Sequence, residues 1–306
     1  MASAVVQKKT VFITGCSNGS IGAAISKILL THDFHVFAGV RSVSKATDLS
    51  VLSNVDIVEI DVTLPETISK AKQFVAERTG GKLDVLVSVS LCLSRTDSRI
   101  PPRMPSQARL RKTCLTVTNQ VNTAGVEGVR PLLDVDIAWA KEIYDVNVWG
   151  ILSVIQEFAP LVIEAKGIIA NFSSIGSKVP MCWAGIYSSS KAAIAQLSET
   201  LRIELAPLGV RVVTVMCGSA NTPIFNKPGG QLRLPERSYY AGHGIEEVAN
   251  KQRDDHQGGS MNVDELAQSL VKGILSGTQK PVWAGTYAAL ASEKPILENS
   301  EETIAW

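Results

Sequence analysis

The sequence predicts an α/β fold, a single doubly wound parallel sheet of about seven strands flanked by helices on both faces. Three observations carry this. Short β-branched runs alternate with longer segments of helical period along the 306 residues, the pattern of strands joined by crossover helices. The strands read as continuous apolar runs, so both faces of the sheet are expected to be covered. The first strand is joined to the first helix by a glycine-rich turn, which is where such sheets bind ligands.

In chain order, TVFIT opens a strand near 10–14, and the apolar segment after the glycines forms a helix near 21–31. Strands follow near 34–39 and 55–60, each a short run rich in Val, Ile or Phe. A helix near 65–78 leads to LDVLV, a strand near 83–87. Long helical periods span 136–165 and 184–207, and between them GIIANF makes a strand near 167–172. Strands near 210–216 and 280–284 complete the sheet, with a helix near 262–276 between them. The order is that of a Rossmann-type domain, with ligands at the carboxyl ends of the strands. No internal repeat is present, and residues 1–306 read as one domain.

Composition sets limits on function. A 45% apolar content and a formal net charge of +1 give no electrostatic reason to expect nucleic acid or an anionic membrane as the main partner. Five cysteines (16, 92, 114, 182, 217) contain no CxxC pair, which suits a reducing compartment. The four histidines (32, 35, 243, 256) lack metal-ligand spacing, so no metal is expected. MASAVVQKK runs directly into the first strand, leaving no room for a signal peptide. No run approaches the roughly 18 apolar residues of a membrane span. A cytoplasmic location is expected, at most peripheral to a lipid surface.

Thr14-Gly15-Cys16-Ser17-Asn18-Gly19-Ser20-Ile21-Gly22 lies between a strand and a helix. A dinucleotide pyrophosphate needs that context: a tight turn, close backbone approach and a helix N-terminus. Glycines also close ordinary turns, but here strand, loop and helix are in register. Gly15, Ser17, Gly19, Ile21 and Gly22 are the candidate contacts. The second strand ends HVFAGVRS. Arg41 stands where an NAD enzyme offers an acid to the ribose hydroxyl, and a guanidinium favours a 2′-phosphate, hence NADP(H). The bland alternative is a solvated surface arginine. Ser17 is placed to add a hydroxyl to that phosphate, and Asp61-Val62 after the third strand to meet the adenine edge.

Tyr187-Ser-Ser-Ser-Lys191 opens a long amphipathic helix, thirteen residues after Ser174. Residues four apart share a helix face. A free phenol ionises near ~10, and a neighbouring ammonium favours the phenolate. Tyr187 is then a general acid in reduction and a general base in oxidation. Ser174 would hold the substrate oxygen, and Asn147 would position a proton-relay water. A lone YxxxK is as often a surface helix pair; here it stands with three other elements in order.

On these residues, together with NTAG at 122–125 and Thr222, the chain resembles the short-chain dehydrogenase/reductase family over roughly residues 8–284. Within it, the TGCS opening and FAGVRS strand end are most similar to fungal NADPH-dependent 1-acyldihydroxyacetone-phosphate reductase-like members. The resemblance implies that Asn122, Ala124 and Gly125 support the central strand and adenine ribose. It implies that Lys191 contacts the nicotinamide ribose and that Thr222 and Ile224 lie near the carboxamide. The implied activity is NADPH-dependent reduction of a ketone or aldehyde, either a secondary-metabolite ketone or an acyl-dihydroxyacetone-phosphate-like lipid. Helices 136–165 and 184–207 would pair two copies, giving a homodimer or homotetramer. The chain departs from the family pattern in its glycine loop, one residue longer than TGxxxGxG, and at Cys217, which replaces a common proline.

Residues 87–120 fit none of this. The stretch 88–120 has no clear period and carries six basic residues against one acid, Asp97. A structureless insertion of that length is unusual inside a compact domain. Deleting 87–120 restores KLDVLVNTAG, and its 34 codons stay in frame. Val87-Ser88 can be encoded GTAAGT and Gln120 CAG, so the segment reads as a translated intron; a genuine exposed insertion is the alternative. If retained, it is expected to interrupt the central strand and yield a non-catalytic or defective NADP-binding protein. Residues 218–260 are expected to be a substrate loop, and 286–306 a polar tail.

Overall fold

The computed structural model describes residues 8–89, 130–222 and 232–293. Seven parallel strands form the main sheet: β1 (Lys9–Ile13), β2 (Phe34–Val40), β3 (Val55–Glu59), β4 (Val85–Ser88), β5 (Ile168–Ser174), β6 (Arg211–Cys217) and β9 (Val282–Ala284). Their order is β3-β2-β1-β4-β5-β6-β9. The strand order reverses between β1 and β4, and this opens a crevice at their carboxyl ends. Two short strands, β7 (Ala220–Asn221) and β8 (Met261–Asn262), pair separately.

Alternation along each strand divides the core into two layers. Val11, Ile13, Val85, Val87, Val213 and Val215 face α1 (Ile21–Thr31) and α8 (Val263–Leu275). Phe12, Leu86, Ile169 and Val212 face α3 (Pro65–Thr79), α5 (Ile151–Glu164) and α6 (Gly185–Leu205). Phe12 stacks on Phe158 at 4.5 Å between ring centroids. The remaining helices are α2 (Thr47–Ser50), α4 (Ile137–Tyr144), α7 (Ile245–Gly258) and α9 (Ala288–Glu293).

Four expectations are corrected. The helix expected over 136–165 is α4 and α5 joined by a π-helical turn, Asp145–Gly150. That combined stretch, Ile137–Glu164, is the one described helix long and apolar enough to cross a membrane by length and composition. Half of its most apolar window is buried in the fold, so its apolarity is that of a core helix. The strand expected over 83–87 ends later: Val87 and Ser88 continue β4 opposite Ala170 and Asn171. The first two residues of the 87–120 segment thus belong to the central strand, and its residues from 90 onward lie outside the described residues. The expected loop 218–260 contains β7 and α7, and the expected tail begins with α9, whose Ala288 and Ala291 pack on Ile175.

Candidate active site

The glycine loop follows β1 directly. Gly15 and Gly19 adopt φ of +73° and +72°, the left-handed region that glycine enters without a Cβ penalty. A Cβ on Gly22 would lie 2.7 Å from the Gly15 carbonyl oxygen, so helix α1 can approach the loop only without a side chain there. Ser20, in the loop between Gly19 and Gly22, is the N-cap of α1. Its hydroxyl donates to the Gly15 carbonyl (2.7 Å) and accepts from the Ala23 N–H (3.1 Å). The lengthened loop thus gains a cap and a brace. The serine-before-apolar-run signature was present in the sequence and could have identified it.

Ile21 and Gly22 are buried in the first turn of α1, and Ser17 is half-buried. Asn18, which sequence reasoning passed over, ties the loop to the β2–β3 connection. Its Nδ2 donates to Thr47 Oγ1 (2.7 Å) and its Oδ1 accepts from the Asp48 N–H (3.2 Å). Arg41 is exposed immediately after β2, at the same end of the sheet as the glycine loop. Asp61 is half-buried after β3, and its Oδ1 accepts from both the N–H and hydroxyl of Thr63. That bonding fixes the loop and occupies one carboxylate oxygen. Asn122, Ala124, Gly125 and Ile224 lie outside the described residues.

The second group of residues converges from β5, α6 and the π-helical turn. Ser174 ends β5 and is buried; its Oγ accepts the Gly176 N–H at 3.1 Å. That bond leaves the hydroxyl proton available for a second partner. Tyr187 sits in the first turn of α6, half-buried, with the Lys191 ammonium 5.8 Å from its ring centroid. Lys191 is 1% exposed, and its Nζ donates to the Phe172 carbonyl at 3.0 Å. Its own carbonyl accepts from Ser173 Oγ at 2.7 Å, so strand β5 holds the lysine at both ends.

Asn147 is fully buried in the π-helical turn and its Nδ2 donates to Ser190 Oγ at 3.0 Å. Ser190 Oγ donates in turn to the Tyr187 carbonyl at 2.7 Å. Thr222 is buried just past β7. Cys217 ends β6 beside Ser174. Burial pushes its thiol up to about 12, against an opposing pull from the Lys191 charge.

The loops around this group are stitched together. The Arg130 N–H donates to the Trp183 carbonyl (2.7 Å), and Ser238 Oγ donates to Asp134 Oδ2 (2.6 Å). Trp183 meets Tyr240 edge-to-face at 5.3 Å. Both aromatics were missed as a pair because nothing in the sequence relates positions 57 residues apart.

A family model described as short chain dehydrogenase matches residues 9–91 and 107–231. The chain is 40% identical to the short-chain dehydrogenase cctT of Talaromyces islandicus over 271 residues, covering 88% of this chain and 83% of that protein. It is 32% identical to the NADPH-dependent 1-acyldihydroxyacetone phosphate reductase of Schizosaccharomyces pombe, covering 76% and 68%. Among solved structures, a short chain dehydrogenase from Burkholderia cenocepacia in complex with NADP matches with a TM-score of 0.64. It has 23% identity, and the match covers 93% of this chain and 91% of that one. A glycine-rich turn at the strand crossover, an ordered Ser-Tyr-Lys group and these relatives place the chain in the short-chain dehydrogenase/reductase family of oxidoreductases.

Proposed function

We propose that the protein is an NADPH-dependent reductase that converts a ketone or aldehyde to an alcohol through Ser174, Tyr187 and Lys191. The observation that carries this is the buried Lys191 ammonium, held by the Phe172 carbonyl beside the Tyr187 ring. A buried cation favours the phenolate form of its neighbour, so the Tyr187 proton is easily given up. The reduced nicotinamide supplies the hydride when bound. Ser174 donates its hydroxyl proton to the substrate carbonyl oxygen and orients it. Tyr187 transfers its phenolic proton to that oxygen as charge develops there. Asn147 acts from behind, through Ser190, on the backbone of the tyrosine, and positions the relay water in the same region.

The chain's residues fit an NADP(H) cofactor. The close approach at Gly22 leaves the N-terminus of α1 open to a pyrophosphate. Arg41 is free to reach a 2′-phosphate, with Ser17 beside it, and Asp61 serves the adenine side. Thr222 lies toward the carboxamide. In the family pattern Asn122, Ala124, Gly125 and Ile224 complete the cofactor contacts. Trp149 and Ile203 expose 54% and 66% of their surface on α4–α5 and α6, which favours pairing of those helices in a homodimer or homotetramer. The protein acts in the cytoplasm on a small-molecule carbonyl, a secondary-metabolite ketone or an acyl-dihydroxyacetone-phosphate-like lipid.

Tyr187→Phe tests the central claim. Turnover is expected to fall by ~10²–10⁴-fold while NADPH titration is unchanged; equal turnover would reassign the proton donor.

A second reading, a defective NADP-binding protein, draws support from the end of β4. Ser88 Oγ and Asn171 Oδ1, buried on adjacent paired strands, have no hydrogen-bond partner. Removal of 87–120 would put Asn122 in the position of Ser88, and an amide carries both a donor and an acceptor for that slot. On this reading the functional chain is the shorter one.

A further inference from the structure

Trp183 lies two residues before α6 and four before Tyr187. Its φ is +66°, a true outlier for a bulky side chain. Such conformations persist where the surroundings enforce them, and they cluster at ligand sites. Here the enforcement is visible. The Trp183 carbonyl accepts the Arg130 N–H at 2.7 Å, and the next residues run against Leu132, whose Cδ2 would be 2.6 Å from a Cβ on Gly185. The indole is half-buried and meets the Tyr240 ring edge-to-face, 5.3 Å between centroids and 76° between planes.

Tyr240 is itself fixed. The Tyr240 N–H donates to Ser238 Oγ (3.1 Å), and that hydroxyl donates to Asp134 Oδ2 (2.6 Å). Three separate loops, 130–134, 181–185 and 238–240, are therefore locked together around one aromatic pair. A packing role alone does not require a tryptophan in a left-handed conformation, since a glycine or asparagine would adopt it more readily.

Resting on the reductase reading above, we propose that Trp183 and Tyr240 form a rigid aromatic wall that selects a flat, fused-ring ketone. The wall presents two π surfaces set nearly at right angles, which suits a planar ring system stacked on one and met edge-on by the other. Of the two charged side chains described in these three loops, Asp134 accepts from Ser238 and the Arg130 guanidinium lies 4.8 Å over the Trp139 ring. The aromatic pair itself, an apolar surface, is therefore what favours an uncharged polycyclic ketone.

The test uses 1-tetralone as the fused-ring probe and cyclohexanone as the compact one, with the NADPH-loaded full chain. Calorimetric affinity and the rate of NADPH oxidation are measured for wild type, Trp183→Leu, Tyr240→Leu and Trp183→Phe. We expect each leucine variant to bind tetralone roughly tenfold more weakly, with KM raised to match. Cyclohexanone turnover and NADPH affinity should hold, and Trp183→Phe should recover most of the loss. Unchanged tetralone affinity in the leucine variants, equal losses for both ketones, or no tetralone binding by wild type would overturn the wall. Tetralone binding that depends on Trp183 without NADPH oxidation would leave the wall standing and sink the reductase reading instead.

Discussion

Alanine at Gly22 puts the cofactor loop to a direct test. The added Cβ would sit 2.7 Å from the Gly15 carbonyl oxygen and 3.0 Å from both the Gly15 carbonyl carbon and the Thr14 oxygen. All three atoms are backbone, so no flexible side chain can swing away. Either α1 or the loop must retreat by about half an ångström or more, and overpacking of this kind costs ~1–3 kcal/mol. The retreat widens the gap between loop and helix N-terminus where the pyrophosphate would bind. If about half of the cost falls on the bound state, the NADPH dissociation constant rises ~3–10-fold. The melting temperature should also fall, by about 2–4 °C per kcal/mol. Gly80→Ala is the control. That glycine ends α3 at φ +64° with nothing within 4 Å of its Cβ, so it should cost ~1 kcal/mol of stability and leave NADPH affinity alone. NADPH fluorescence titration and thermal melts read both variants. A Gly22→Ala protein within twofold of wild type in affinity would refute the close-approach argument.

Arg41→Ala should weaken NADPH binding roughly tenfold and leave NADH binding unchanged; equal loss for both would detach Arg41 from the 2′-phosphate. Deletion of 87–120 should raise both NADPH affinity and melting temperature, and Ser88→Asn in the full chain should recover part of the stability. A shortened chain no better than the full one would make the insertion a tolerated surface feature. Burial pushes the thiols of Cys16 and Cys217 from 9.0 up to about 12, so at pH 8 iodoacetamide should modify the exposed Cys182 and spare both buried thiols. Because both folded values lie above the unfolded one, their contribution to stability is complete below about pH 9 and is lost as the pH rises toward 12. A melting temperature flat from pH 8 to 11 would contradict this.

The fold was legible because its strands are short, continuous and apolar: β1, β2, β5 and β6 fall within two residues of their expected bounds. The placement of Tyr187 and Lys191 on one helix face and of Ser174 at a strand end was legible for a related reason, since helical spacing and strand position fix it locally. Other features were hidden because they depend on contacts between distant residues. The π-helical turn leaves no mark in hydrophobic period, as Val146, Val148 and Ile151 read equally well as a plain helix. α7 lay unseen because its segment, IEEVANKQRDDHQG, is polar and shows no apolar stripe. The end of β4 was misjudged because Val87-Ser88 can complete a strand as well as Val121-Asn122, and only the sheet register distinguishes them.

The wide turn at Asp145–Gly150 has a consequence for chain length. Such a turn absorbs one more residue than an α-helix needs over the same rise, while the flanking helices keep their faces. Trimming a residue there should let α4 and α5 run on as one straight helix, with Trp139 and Ile143 still against α6 and Phe158 still on the sheet. What would be lost is the local widening that turns Asn147 toward Ser190. The surplus residue thus serves the site more than the sheet, since it aims one amide at the helix that carries Tyr187 while the same turn sets Gly150 close against Val62.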